Sequence, residues 1–168
     1  MHQVGKKDPG AEQSALVAVE HHHARMLAEL RQLEASLVQA VEDRSGDEHS
    51  ARNALVTWCE RELVPHALAE EGPLYTGPGK TEQGRLLVAG MLAEHQVIVG
   101  LVERLRNSEG VRAAVAGGAI EELFAVHLDM ENRLLMPFVA ESPELSLAAA
   151  VEGLHQLVGE AHHREERR

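Results

Sequence analysis

Apolar residues recur at three- and four-residue steps through four long stretches of the chain, a spacing that fits one buried face of a helix. In the first stretch, from about Glu12 to about Asp43, the stripe is Leu16, Val19, Met26, Leu30, Leu33 and Leu37. A break follows Arg44 at Ser45-Gly46-Asp47. A second helix is expected from about Ser50 to about Glu71, with Pro65 placed to kink it just before His66. Gly72-Pro73 stops it, and residues 72–80 hold three Gly and two Pro, so they read as a loop. Thr81 is the expected N-cap of a third helix reaching about Arg106, with Val88, Met91, Ile98, Val102 and Leu105 as its stripe. Asn107 to Gly110 reads as a turn. A fourth helix is expected from near Val111 to about Met136, with Pro137 at or near its end. A short fifth follows, from about Ser146 to about Val158, and Glu160 to Arg168 is a charged tail.

Long helices joined by short connections make antiparallel neighbours. The expected fold class is therefore all-α: an antiparallel up-down four-helix bundle over residues 12–141, with residues 142–168 as a short extra helix and tail. The scarcity of aromatics agrees, since Trp58, Tyr75, Phe124 and Phe138 are the full set and sheet cores favour such residues. A formal net charge of -11 argues against nucleic acid and anionic membranes as partners, because both call for basic surface. The single Cys59 fits a reducing compartment. With no secretory h-region and no apolar run expected to be long enough to span a bilayer, a cytoplasmic location is expected.

Eleven histidines are many for 168 residues, and their placement is informative. His66-Ala-Leu-Ala-Glu70 and His127-Leu-Asp-Met-Glu131 each set an imidazole and a carboxylate four apart, on one helix face. His95 lies at the edge of the third helix's apolar stripe. The first helix offers His21, His22 and His23, which point in different directions. His23 is followed by Met26, Leu30 and Leu33 at the offsets at which Ile98, Val102 and Leu105 follow His95. That register selects His23, with His22 as the alternative.

Taken alone, a His-x3-Glu pair is usually a solvated ion pair. Two copies on alternate helices, each interleaved with an inward histidine, are a different matter. Imidazole with carboxylate suits iron or manganese, and without a metal these groups would be buried polar atoms lacking partners. His155, His162 and His163 read as surface residues, and Trp58 and Tyr75 as packing residues.

The order His, His-x3-Glu, His, His-x3-Glu resembles the hemerythrin-like cation-binding (HHE) domain family, over about Leu16 to Val139. In that family both carboxylate motifs typically continue as Glu-Glu-x-x-Leu-aromatic-Pro. Here they read Glu70-Glu71-Gly72-Pro73-Leu74-Tyr75-Thr76 and Glu131-Asn132-Arg133-Leu134-Leu135-Met136-Pro137. The resemblance implies a non-haem di-iron site with His23, His66, Glu70, His95, His127 and Glu131 as ligands and both glutamates bridging; manganese is the alternative metal. Its implied partner is a small diatomic molecule or peroxide.

Thr76, Met136 and Asn132 depart from the pattern without touching an implied ligand. Oxygen-carrying hemerythrins use His-x3-His on the third helix and His-x4-Asp on the fourth. Those positions are Val99 and Asn132 here, which counts against dedicated oxygen carriage. Four readings follow: a small-molecule binder, an enzyme acting on peroxide or nitric oxide, an iron- or redox-sensing module, and a bundle without metal. Ferritin-like proteins place their pair in the opposite order, Glu-x-x-His.

Overall fold

The computed structural model describes residues 7–155, and among these there are helices and no strands. Helix α1 spans Pro9–Glu42. It starts where Pro9 fits the first turn and the Asp8 side chain accepts the Gly10 N–H. Helix α2 is Glu48–Trp58, and a π-helical turn, Cys59–Leu63, carries it into α3, Val64–Glu70. A short α4, Thr76–Gly79, lies within the Gly/Pro-rich connection. Then come α5, Arg85–Arg106, and α6, Gly110–Met130. A second π-turn, Glu131–Leu135, carries α6 into α7, Met136–Glu141. Helix α8, residues 147–155, ends the described chain.

Three expectations are corrected. The third long helix begins at Arg85, because the Thr81 hydroxyl accepts the Gly84 N–H (2.9 Å) and donates to the Pro78 carbonyl (2.7 Å), closing a turn ahead of the helix. The fourth does not stop at Pro137. In an α-helix a proline lacks an N–H for the carbonyl four residues back and its ring collides with that group. Both Pro65 and Pro137 sit one residue after the residue that follows a π-turn, where the Val64 and Met136 N–H groups bond to Cys59 and Glu131, five residues back. The wider turns absorb the prolines, so the chain passes them as helix. Lastly, α5 is by length and composition able to cross a bilayer. Its stripe of Val88, Met91, His95, Ile98, Val102 and Leu105 is nevertheless buried, and it packs on α2, α3 and α6, as a bundle's core helix does.

Contacts run from α1 to α2, from α2 to α5, from α5 to α6 and from α6 back to α1, a closed ring of neighbours. Gly117 lets α6 come close: a Cβ there would lie 3.2 Å from Leu55 and 3.7 Å from Leu37. The ring encloses two apolar cores. One gathers Leu30, Leu37, Leu55, Ile98, Leu105 and Phe124. The other gathers Val19, Leu74, Met91, Leu135, Val139 and Leu147. On α1 and α5 the histidine of interest falls between the residues of one core and those of the other, as Glu131 does just past α6, while His127 sits between Phe124 and Leu128 of the first core.

Helix α8 is fastened by a buried charge. Glu12, 5% exposed, accepts the Ser146 hydroxyl at 2.6 Å and the Leu147 N–H at 2.7 Å, while Ser146 accepts the Ala149 N–H at 3.1 Å. A carboxylate with a capping serine at a helix start satisfies donors the helix cannot. Burial, with the Glu60 charge beside it, pushes the Cys59 thiol up to about 12. Its sulfur is thus a core atom, not a nucleophile.

Candidate metal centre

All six residues singled out by the sequence meet in the layer between the two cores. His23, Glu70, His95, His127 and Glu131 are each 1% exposed or less, and the His66 side chain is 13% exposed. Their ligand-type atoms form two groups, His23–His66–Glu70–Glu131 and Glu70–His95–His127–Glu131, with the glutamates common to both. Each glutamate turns one oxygen to each group. Glu70 Oε1 lies 2.8 Å from His66 Nε2 and 3.7 Å from His23 Nε2, while Oε2 faces His95 Nε2 at 3.9 Å. Glu131 Oε2 lies 3.4 Å from His23 Nε2, and Oε1 lies 3.3 Å from His127 Nε2.

In the first group, His23 Nε2, His66 Nε2, Glu70 Oε1 and Glu131 Oε2 are buried with no hydrogen-bond partner. The His66–Glu70 pair is close enough in distance but not aligned as a hydrogen bond. The four atoms lie within 4.8 Å of one another. Leaving a buried polar atom unpaired costs about 1–3 kcal/mol, more for a charged one, so four together call for a cation. Atoms sharing an ion at about 2.1 Å stand about 3 Å apart when adjacent in its shell, and the spacings here suit that. The donor set fits a metal.

The second group is furnished differently. Tyr75, from the connection after α3, places its hydroxyl 3.3 Å from His95 Nε2 and 3.2 Å from His127 Nε2, and donates to Glu131 Oε1. It stacks on the His95 ring at 5.4 Å. Burial first, then the charges of Glu70 and Glu131, holds the phenol far above its usual range, so it keeps its proton. Outer carboxylates fix both rings: Glu71 Oε1 accepts from His95 Nδ1 at 2.9 Å, and Glu94 Oε2 from His127 Nδ1 at 2.7 Å. With Nδ1 protonated, both Nε2 lone pairs face each other at 3.1 Å, an arrangement that a proton or a metal ion must bridge. Burial disfavours a charged His127, yet Glu131 and Glu94 outweigh it and raise its pKa to about 9. Burial likewise opposes charge on Glu70, but His66 and His23 hold its carboxyl well below the usual range.

His23 stands in the first group with Nδ1 donating to Asn132 Oδ1 at 2.7 Å. His22 stands outside both groups, its ring 5.1 Å from that of His66; partial burial of that ring, with the His66 charge, lowers its pKa to about 4. Val99, four residues after His95, is 39% exposed and does not line the site. His155 is exposed, and His162 and His163 lie outside the described residues.

Sequence reasoning missed four residues: Tyr75, Glu71, Glu94 and Asn132. Glu71 and Glu94 adjoin ligand candidates in the chain, and that adjacency is the signal the sequence carries. That Glu94 serves His127 rather than its neighbour His95 required the fold.

No curated protein and no solved structure matches this chain. A family model does, the Hemerythrin HHE cation binding domain, over residues 14–139, and the chain belongs to that family.

Proposed function

We propose that the protein holds a pair of non-haem iron ions on His23, His66, Glu70, His95, His127 and Glu131, and uses them to bind or react with dioxygen, peroxide or nitric oxide. The observation that carries this is the split of Glu70 and Glu131, each with one oxygen toward each histidine pair. A carboxylate so placed can serve two ions and offset charge at both. Manganese suits the same donors. The ring of helix contacts supports an up-down antiparallel four-helix bundle over residues 12–141 as the frame, with residues 142–168 appended.

Iron would supply exchangeable positions and redox chemistry at the centre. The protein's own part is to orient and to exclude water. Glu71, Glu94 and Asn132 fix three of the four imidazoles through Nδ1. Tyr75 holds a proton at Oη beside Glu131. Asn132, where a carrier would have aspartate, is occupied in orienting His23, and Val99 faces outward. Protein ligands are thus fewer than in an oxygen carrier, and we expect reaction rather than storage.

The negative charge and single cysteine support a cytoplasmic protein whose partner is a small molecule, not nucleic acid or membrane. Metal analysis and the visible spectrum of protein from iron-fed cells, before and after dioxygen and peroxide, test the reading. Near-ultraviolet charge-transfer bands with bound iron are expected. Zinc without iron under iron-rich conditions would overturn it, and a long-lived dioxygen complex released intact under vacuum would restore carriage.

A further inference from the structure

Helix α5 is apolar on more than the side it buries. Val88, Met91, Ile98 and Val102 face the core, yet only 33% of its apolar stretch lies inside the fold. Across the helix from that buried stripe, Leu86, Gly90, Ala93, Val97 and Gly100 form a second one, at alternating four- and three-residue steps, and all five are exposed. Leu86 is 72% exposed and Val97 53%. Such alternation keeps one seam of a helix turned toward a partner helix. Glycine inside a helix weakens it relative to alanine, and a Cβ at Gly90 or Gly100 would meet nothing within 4 Å. Packing within the chain therefore does not ask for either glycine. Close approach of another backbone does.

We infer that this seam is where a second copy of the chain docks, with the two α5 helices antiparallel across a two-fold axis at Ala93. A two-fold interface is one patch that must fit itself, and the stripe does so when reversed about Ala93. Leu86 then stands opposite Gly100, and Gly90 opposite Val97, so each large side chain meets a position with none. A parallel pair would set Leu86 on Leu86 and Gly90 on Gly90. Charge selects the same direction. Glu82 and Arg85 lie at the start of the seam and Glu103 and Arg104 at its end, all exposed and with no side-chain ion pair among the described residues. Antiparallel docking brings Arg85 to Glu103 of the second copy and Glu82 to its Arg104, whereas parallel docking sets like charges together. Between those ends no exposed residue of α5 is charged, and the core of an interface is likewise poor in charge. Lipid would cover the same face without calling for glycine at either place. His95 lies on the buried side of α5, so the docking does not depend on the metal.

Sedimentation equilibrium of the full chain should give twice the 18.3 kDa chain mass in the micromolar range. Ala93→Arg sets two guanidinium groups together on the axis and should raise the dimer's dissociation constant roughly a hundredfold or more, with helix content kept because Ala93 is exposed. Arg85→Glu and Glu103→Arg should each weaken the dimer several-fold, and the double variant should restore it. In parallel docking neither reversal would alter the balance of charge. Gly90→Cys and Val97→Cys proteins, mixed and oxidised, should cross-link to each other in preference to themselves, while buried Cys59 stays out of reach. A chain that sediments as a monomer throughout, or a dimer untouched by Ala93→Arg, would overturn the proposal. So would Gly90→Cys linking chiefly to itself, which means parallel docking. A monomer that binds phosphatidylcholine vesicles, and loses them in Ala93→Arg, would give the seam to lipid and overturn it as well.

Discussion

The two halves of the centre share their glutamates and differ in nearly everything around them. On the His95–His127 side every imidazole has a carboxylate behind it, and a tyrosine hydroxyl closes the front. On the His23–His66 side one imidazole leans on a neutral amide, no Nδ1 partner stands behind His66 among the described residues, and a cleft opens beside it. Outer carboxylates fix ring orientation and make an imidazole a better donor. With an ion in each, as proposed, one half would hold its ion more firmly and the other would leave its ion more open, although both use the same two residue types.

The sharpest way to break the comparison is to remove what the halves share. Glu70→Ala or Glu131→Ala should each drop iron from about two per chain toward none, read by metal analysis, because each deletes a ligand from both groups. The melting temperature should fall toward that of chelated wild-type protein, with helix content kept. Full iron in both variants would break the ligand assignment.

A smaller effect should separate the halves. His66→Ala should leave about one ion per chain, held on the closed side, whereas His95→Ala should lower retention of both under a competing chelator. Equal behaviour of the two would show that the asymmetry around the rings has no consequence for holding metal.

Smaller again is the outer layer. Glu94→Gln removes a carboxylate from His127 but keeps a hydrogen-bonding side chain, and should weaken the tighter ion by about 10–100-fold. Asn132→Ala removes only an amide from His23 and should weaken the looser ion by less. Chelator titrations of both variants sharpen the comparison, and a larger effect from Asn132 would reverse it.

Much of this layout was legible in the sequence, for a physical reason. A helix repeats every few residues, so His66 with Glu70 and His127 with Glu131 declare a shared face without any knowledge of the fold. Their partners across the bundle do not, because Glu94 and His127 are separated by a loop and most of two helices. Tyr75 read as packing since nothing in a Gly/Pro-rich connection says where a phenol will point. Pro137 read as a terminus because the rule about prolines assumes α-helical spacing, and the π-turn before it relaxes that spacing.

Those π-turns also set how the gene can change length. An α-helix advances about 100° per residue and a π-turn carries one residue more than an α-turn, so losing one residue from Cys59–Leu63 would let the turn revert to α-spacing with His66 and Glu70 still facing the core, at the cost of the room it gives Pro65. One residue lost between His66 and Glu70, where no turn has a residue to spare, would swing Glu70 away from its partner. The same deletion in residues 43–47, between two helices, would be absorbed by a connection with no ligand to misdirect. Insertions and deletions should accordingly be tolerated at that connection and rejected inside the helices that look most regular.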